Sequence, residues 1–159
     1  MSTFITVLSD SHGFKDNIKK LKGDFYSSDY IVHLGDGEMD MRPYFSEFAS
    51  KLYGVSGNCD GAYNAKSQVI LQIEQVKILC VHGHNFGVKT SLIRLGEHAK
   101  KLNCNAVLYG HTHIAKISNY DGVLLLNPGT ISNYGEKQTY MQLKVSGKDI
   151  YPKIIELVK

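Results

Sequence analysis

Residue types that bind metal ions recur in five short segments of this chain. Each segment follows, or nearly follows, an apolar run and contains or adjoins glycine, which places its polar side chains where a strand ends and the chain turns. Open α/β sheets gather their ligands and their chemistry at such strand ends. The candidate ligands are three acidic or amide residues and four histidines, namely Asp10, His12, Asp36, Asn58, His82, His111 and His113.

This set of side chains predicts divalent metal ions, because it mixes nitrogen and oxygen donors and requires no thiolate. Mn, Fe, Co, Ni and Zn accept such a mixture. One ion takes about three or four protein ligands and leaves room for water, so the set is too large for one site. It suits two ions about 3.5–4 Å apart that share a carboxylate, as in two-metal hydrolases. Asp36 is the predicted bridge, because Asp10 already has His12 as a neighbouring partner.

Two pairs of candidate ligands are separated by a single residue, Asp10 with His12 and His111 with His113. An extended backbone points the side chains of residues i and i+2 in the same direction. A pair of ligands two residues apart at the end of a strand can therefore share one site.

Each acidic or amide candidate, taken alone, has a structural alternative. The alternatives are a helix cap at Asp10 or Ser11, a turn carboxylate at Asp36 and a left-handed turn residue at Asn58. The joint occurrence of all the segments favours metal binding.

The five segments resemble those of the calcineurin-like metallophosphoesterases in type and in order. They read Ser-Asp-Ser-His-Gly, His-Leu-Gly-Asp-Gly, Ser-Gly-Asn-Cys-Asp, Val-His-Gly-His and Tyr-Gly-His-Thr-His. The resemblance extends from Thr3 to about Thr130. More specifically, the sequence resembles the small single-domain bacterial and archaeal phosphodiesterases. They share the Gly-Asn-Cys-Asp segment at 57–60 and the Asn-Pro-Gly-Thr segment at 127–130.

The resemblance implies a phosphodiesterase that uses a hydroxide bridging two divalent ions, with Mn²⁺ as the first expectation and Ni²⁺, Co²⁺, Fe or Zn²⁺ as alternatives. It implies a small phosphodiester as substrate and assigns catalytic roles to Asp36, Asn58 and Cys59. One ion is expected on Asp10, His12, Asp36 and His113, and the other on Asp36, Asn58, His82 and His111.

The chain departs from the family at Cys59, where many relatives have a histidine that protonates the leaving group. A thiol with an ordinary pKa of about 8.5 is a poor substitute, so esters with good leaving groups are the expected substrates. A second departure is Met39, where an acidic residue is usual, although Glu38 and Asp40 flank it.

The remaining histidines receive different interpretations. His84 could face the substrate, support a metal ligand or have a structural role. Of these, substrate binding is the predicted role. His33 lies in an apolar run and reads as a satisfied core histidine, whereas His98 on the polar side of a helix has no predicted role.

Composition predicts one globular domain over residues 1–159, with 43% hydrophobic and 21% charged residues. The net charge of +3 comes without a block of like charge, which disfavours nucleic-acid and membrane surfaces as partners. No segment reads as a signal peptide or a membrane span. A cytoplasmic location is therefore expected. The three cysteines fit it, because they are odd in number and form no Cys-x-x-Cys motif. Cys80 and Cys104 are expected to be buried. The sequence does not predict the oligomeric state, and a homo-oligomer is possible.

Apolar periodicity predicts strands that alternate with helices early in the chain and hairpins late in it. The strands are expected at 4–9, 30–34, 51–55, 67–73, 77–81, 106–109, 114–120, 123–126, 139–145 and 150–157, and the helices at 14–21, 43–50 and 88–102. This order, together with the resemblance, predicts an α/β fold of four layers, an αββα sandwich of two mixed β-sheets flanked by helices.

Two other functions remain as alternatives. A related retromer subunit keeps this fold as a protein-binding scaffold after its metal site has degenerated, and the full ligand set argues against that function here. A nuclease is the third hypothesis, and the sequence has no basic stripe interleaved with aromatic residues to support it.

Overall fold

The computed structural model describes residues 1–61 and 66–157 of the chain. Within those residues the strands are β1 (Thr3–Leu8), β2 (Tyr30–His33), β3 (Leu52–Gly54), β4 (Gln68–Ile73), β5 (Val76–Val81), β6 (Ala106–Leu108), β7 (Lys116–Tyr120), β8 (Val123–Asn127), β9 (Thr139–Ser146) and β10 (Asp149–Glu156). The α-helices are α1 (Lys15–Lys19), α2 (Lys22–Ser27) and α3 (Ile93–Lys101), and 3₁₀ helices cover Glu38–Tyr44 and His84–Phe86.

These strands form two five-stranded sheets, ordered β10-β9-β1-β2-β3 and β4-β5-β6-β8-β7. β1, β2 and β3 run parallel in the first sheet, as do β5, β6 and β8 in the second. The other strands add antiparallel pairs at the margins. The parallel strands therefore form one side of the first sheet and the centre of the second, and in each sheet the parallel strands end at the same edge.

Successive side chains of a central strand pack into different apolar clusters, because they point to opposite faces of the sheet. In β5, Ile78 and Cys80 pack between the two sheets, whereas Leu79 and Val81 pack against α3. The outer face of the first sheet packs against α1 and α2, including Phe25. Three apolar clusters thus separate four layers, which confirms the predicted αββα sandwich.

The strands lie where the sequence predicts them, and each end falls within two residues of its expected position. The hairpin turns are confirmed as well. Glu74 (φ 51°), Asp121 (φ 46°) and Gly122 (φ 87°) have the left-handed backbone of tight turns. Cys80 and Cys104 are buried as expected. No helix in the described part of the chain is both long and apolar enough to cross a bilayer.

The prediction of an α-helix at 43–50 is wrong. A 3₁₀ helix precedes and overlaps this segment, contains Pro43 and gives way to turns. Proline has no amide hydrogen to donate. The rings of Tyr44 and Phe48 instead pack against Phe25, at centroid distances of 5.6 and 5.8 Å. Side-chain packing thus holds a segment that lacks regular helical hydrogen bonds.

The other predicted helices are too long. The segment 14–21 contains the short α1, and α2 follows it without having been predicted. α3 begins at Ile93 rather than at residue 88 because Gly87 has a left-handed backbone (φ 62°). The amides of Thr90 and Ser91 both donate to the Gly87 carbonyl, which closes a separate turn before the helix.

Two helical glycines give a matched stability prediction. A Cβ at Gly96 in α3 would lie 2.5 Å from Cγ and 3.0 Å from Cβ of Tyr120, whereas a Cβ at Gly23 in α2 meets no described atom within 4 Å. Gly96→Ala is expected to lower the free energy of unfolding by about 1–3 kcal/mol through overpacking. Gly23→Ala is expected to raise it by about 0.4–1 kcal/mol. Urea denaturation measures both, and equal effects of the same sign would contradict this account of the α3 packing.

Candidate metal centre

The candidate ligands lie together at the edge where parallel strands of both sheets end. Each ligand-bearing segment follows one of these strands, so the fold itself produces the gathering. β1 leads to Asp10 and His12, β2 to Asp36, β3 to Asn58, β5 to His82, and β6 to His111 and His113.

The first ligand cluster contains Asp10, His12 and His113, whose ligand atoms all lie within 4.8 Å of one another. Nε2 of His12 lies 3.2 Å from Nε2 of His113. Asp10 Oδ1 lies 3.3 Å from Nε2 of His113 and 3.8 Å from Nε2 of His12. These three side chains belong to the set predicted for one ion.

The second ligand cluster contains Asp36, His82 and His111, joined by Asn58. Nε2 of His82 lies 3.1 Å from Asn58 Oδ1 and 3.1 Å from Nδ1 of His111. Asp36 Oδ2 lies 3.3 Å from Nε2 of His82 and 3.8 Å from Nε2 of His12. Asp36 therefore lies within reach of both clusters, as does Asp10, whose Oδ1 lies 3.8 Å from Nε2 of His82. The bridging role of Asp36 stays a prediction.

Two independent observations indicate that these side chains suit a metal ion. Asp10 is fully buried and its Oδ1 has no hydrogen-bond partner among the described residues, a costly arrangement for a carboxylate unless a cation compensates it. Nδ1 of His82 lies 2.7 Å from the Leu34 carbonyl oxygen. Since a carbonyl only accepts, Nδ1 carries the proton and Nε2 offers its lone pair to the cluster.

Electrostatics favour ionised carboxylates here and affect the histidines unequally. Burial opposes ionisation of Asp10 and Asp36, but contacts with His113 and His82 outweigh it and lower the pKa of both carboxyls. Burial opposes protonation of His82, but its hydrogen bond to Asp36 and the charges of Asp10 and Asp36 outweigh burial and raise its pKa, so a metal ion would have to displace a proton from Nε2. Burial, followed by the nearby charge of His82, lowers the pKa of His111 to about 4. His111 is therefore neutral at physiological pH, the form that binds a metal ion.

The expectation that extended backbone aligns the two ligand pairs is wrong. The backbone at Asp10 and His12 is not extended, although their amides still donate to the chain that follows β2, at the Gly35 and Asp36 carbonyls. Left-handed backbone, which is strained for residues other than glycine and clusters at functional sites, occurs at Asp10 (φ 55°), His12 (φ 43°), Asp36 (φ 57°), His111 (φ 72°) and His113 (φ 65°).

Asp60 organises the turns around Asp36, a role that sequence analysis did not identify. Its carboxylate accepts backbone N–H groups at 2.8–3.0 Å from Asp36, Gly37, Glu38 and Gly57. Burial opposes its ionisation, but these hydrogen bonds outweigh burial and lower the pKa of Asp60. The only available signal was its place in the Gly-Asn-Cys-Asp segment.

Asp40 supports the turn after β1, beside the departure at Met39. Its Oδ2 accepts from the Ser11 hydroxyl at 2.7 Å and from the Gly13 amide at 2.8 Å. Ser11 Oγ also lies 3.0 Å from Nε2 of His33, whose Nδ1 accepts the Gly35 amide. His33 is thus a satisfied core histidine, as predicted.

The Asn-Pro-Gly-Thr segment lies directly behind the ligand turns. The amide nitrogen of Asn127 donates to the Gly110 carbonyl at 3.2 Å and to Thr112 Oγ1 at 3.0 Å. Thr130 Oγ1 donates to the backbone carbonyl of Asp10 at 2.7 Å. This segment therefore fixes the backbone on either side of the first ligand cluster.

Cys59 and His84 lie at opposite sides of the clusters. Cys59 is exposed, its amide donates to Asp36 Oδ1 at 2.7 Å, and its Sγ lies within 4.8 Å of ligand atoms of His12 and Asp36. The ring of His84 lies 5.4 Å from the His82 ring and 6.2 Å from the His111 ring. Its Nδ1 is buried without a hydrogen-bond partner in the described ranges.

The sequence matches the model of the calcineurin-like phosphoesterase superfamily domain over residues 4–148. It is 34% identical over 129 residues to the probable metallophosphoesterase YsnB of Bacillus subtilis, covering 80% of this chain and 74% of that protein. A phosphodiesterase of Methanocaldococcus jannaschii is 25% identical over 147 residues, with 82% and 85% covered.

Solved structures agree with this relationship. A conserved protein of Streptococcus pneumoniae superposes with a TM-score of 0.84 at 25% identity, covering 98% of this chain and 90% of that one. Vacuolar protein sorting 29 of Cryptosporidium parvum superposes with a TM-score of 0.81 at 19% identity, with 99% of each chain covered, and shares the fold. The family match and the relative in Bacillus subtilis together show that this chain belongs to the calcineurin-like phosphoesterase superfamily.

Proposed function

We propose that the protein hydrolyses small phosphodiesters with two divalent metal ions bound at the two ligand clusters. The observation that carries this proposal is that two buried carboxylates reach ring nitrogens of both clusters, Asp36 Oδ2 at 3.3 and 3.8 Å and Asp10 Oδ1 at 3.3 and 3.8 Å. Asp36 is assigned as the shared ligand from the resemblance to the family. A shared carboxylate of this kind is the mark of two-metal hydrolases. Phosphodiesterase relatives support the same reaction class.

We assign the ligands to the two ions as the resemblance to the family implies. Asp10, His12 and His113 would hold one ion, Asn58, His82 and His111 would hold the other, and Asp36 would join both. Mn²⁺ is the proposed metal, and Ni²⁺, Co²⁺, Fe and Zn²⁺ suit the same donors.

Divalent ions at such a site make water nucleophilic near neutral pH and supply positive charge to the phosphoryl oxygens. Imidazoles bound to the ions would be neutral ligands and would leave much of the metal charge uncompensated, and the protein adds only two ligand carboxylates, Asp10 and Asp36. An anionic diester is therefore attracted. The ring of His84 lies beside those of His82 and His111, and its role in substrate binding is proposed from this position.

A protein-binding scaffold is the second candidate function, because the structure superposes well on a vacuolar sorting protein. Fold likeness at 19% identity does not assign function. The buried and unpartnered Oδ1 of Asp10 favours the enzyme, because a scaffold gains nothing from keeping that oxygen without a cation.

The first prediction tests metal number. After loading with Mn²⁺ and gel filtration, elemental analysis should give close to two ions per chain. His113→Ala should retain about one ion, whereas Asp36→Asn should weaken both and reduce hydrolysis of bis(p-nitrophenyl) phosphate by more than about 100-fold, beyond the range for supporting residues. His98→Ala, a histidine outside the clusters, is the control.

A stoichiometry of one ion with full activity would reject the binuclear arrangement. Two bound ions with no hydrolysis of any diester would instead favour the scaffold.

The second prediction concerns the leaving group. Cys59 lies beside His12 and Asp36, at the position where many relatives have a histidine acid. Cys59→His should accelerate an alkyl diester relative to a p-nitrophenyl diester by about tenfold, less than the ~10²–10⁴-fold of an evolved general acid. Cys59→Ser, which gains no such acid, should leave the ratio of the two rates unchanged. An unchanged ratio in Cys59→His with both ions bound would exclude this position from leaving-group protonation.

The third prediction concerns Asp60, whose two oxygens each accept two backbone N–H groups around Asp36. In Asp60→Asn an NH₂ group would replace one oxygen and face two donors. Affinity for Mn²⁺, measured by calorimetry, should fall by about 10–100-fold while circular dichroism keeps its folded shape. Asp16→Asn, at an exposed carboxylate, is the control, and wild-type affinity in Asp60→Asn would refute the positioning role.

A further inference from the structure

An exposed aromatic ring stands beside the first ligand cluster. Tyr134 is 69% exposed, yet its ring centroid lies 5.6 Å from that of His12 and 5.1 Å from that of Phe14. Its hydroxyl makes no hydrogen bond to the described residues, and its ring belongs to none of the apolar clusters. Folding thus leaves this ring accessible at the edge of the site.

The backbone that carries Tyr134 is fixed to the site. Its amide donates to Ser132 Oγ at 3.3 Å, and Ser132 Oγ lies 2.6 Å from Thr130 Oγ1. Thr130 Oγ1 in turn donates to the carbonyl of Asp10 at 2.7 Å. Three consecutive hydrogen bonds therefore couple the position of Tyr134 to a ligand turn.

A second set of contacts holds the same loop from the side of α1. The side-chain amide of Asn17 donates to the Ile131 carbonyl at 2.8 Å and to Asn133 Oδ1 at 2.9 Å. The Ile131 amide donates to the Ser9 carbonyl at 3.1 Å. The ring is thus placed before a substrate arrives, which reduces the entropy lost on binding.

The ring makes the two sides of the site chemically different. Tyr134 packs edge-on, at 64° to the His12 ring and 87° to the Phe14 ring, which leaves most of its surface free for another planar group. On the other side, His84 and His111 have only histidine rings as aromatic neighbours within the described ranges. Within the described residues, an exposed non-histidine aromatic ring thus lies beside His12 of the first ligand cluster, whereas His84 and His111 have no such neighbour.

We propose that Tyr134 is a specificity-determining residue that packs against a planar aromatic group on the phosphate ligand, either an aryl ester or a nucleobase. This inference rests on the proposed function, because the phosphate group must bind beside His12 and His113 for its substituent to reach the ring. A substrate with one aromatic and one aliphatic ester group would then bind in a single orientation.

The test compares ligands that differ only in their aromatic group. Calorimetry on the Mn²⁺-loaded protein measures binding of phenylphosphonate against methylphosphonate, and of uridine 5′-phosphate against ribose 5-phosphate. Tyr134→Ala should reduce the preference for the aromatic member of at least one pair by about tenfold, equivalent to ~1.4 kcal/mol and within the range of aromatic stacking. If only the phosphonate pair loses its preference, the aromatic group is an aryl ester. If only the nucleotide pair does, the aromatic group is a nucleobase.

Matched variants separate the ring from other effects. Tyr134→Phe keeps the ring and should keep the preference, and Tyr151→Ala removes an exposed tyrosine of β10 and should change nothing. With bis(p-nitrophenyl) phosphate, Tyr134→Ala should raise KM and leave kcat unchanged. Equal loss for both members of each pair, an unchanged preference, or loss in Tyr134→Phe would overturn the inference. Because binding is measured, failure of the diesterase proposal is seen separately, as absent hydrolysis in the wild type.

Discussion

The arrangement of the candidate metal centre depends on one buried negative charge, the carboxylate of Asp10. A charge removed from water is unfavourable unless its surroundings compensate it. One oxygen receives the Ser9 hydroxyl and the His111 amide, while the other faces the ring nitrogens of the clusters without a hydrogen bond. The glycine at position 110 follows from the same contact, because a Cβ there would collide first with Ser9 Oγ, which donates to this carboxylate, and would also lie 2.7 Å from Asp10 Oδ2. The surrounding turns converge on the place where a cation would complete the compensation.

The strands and the gathering of ligands could be predicted because both leave a direct trace in the sequence. Apolar runs mark buried strands, and histidine or aspartate beside glycine marks the turn after each. The role of Asp60 left no such trace, since its partners are backbone amides of other turns. Tyr134 was equally invisible, because an exposed tyrosine in a loop has no periodicity. The segment 43–50 failed because ring packing on Phe25, a tertiary contact, replaced local helix formation.

The separation of fold and chemistry explains why one architecture accommodates an enzyme and a sorting protein. Three apolar clusters hold the layers together, and each fully buried aliphatic side chain contributes about 1.5–3 kcal/mol. The ligands belong to turns at the sheet edge rather than to these clusters. Superposition on other proteins therefore reports the packing of the layers, whereas only the donor atoms at the edge report the reaction.

The left-handed backbone at five of the candidate ligands restricts how this site can change during evolution. Aspartate, asparagine, histidine and glycine tolerate that conformation, whereas β-branched residues resist it. A ligand lost by drift is therefore replaced more readily by asparagine or glycine than by valine or isoleucine. Relatives that lose the activity would keep turns of the same backbone shape, with a polar residue or glycine at the ligand position. A single substitution back to aspartate or histidine could then restore the donor atom. The geometry thus preserves a route of return after activity is lost.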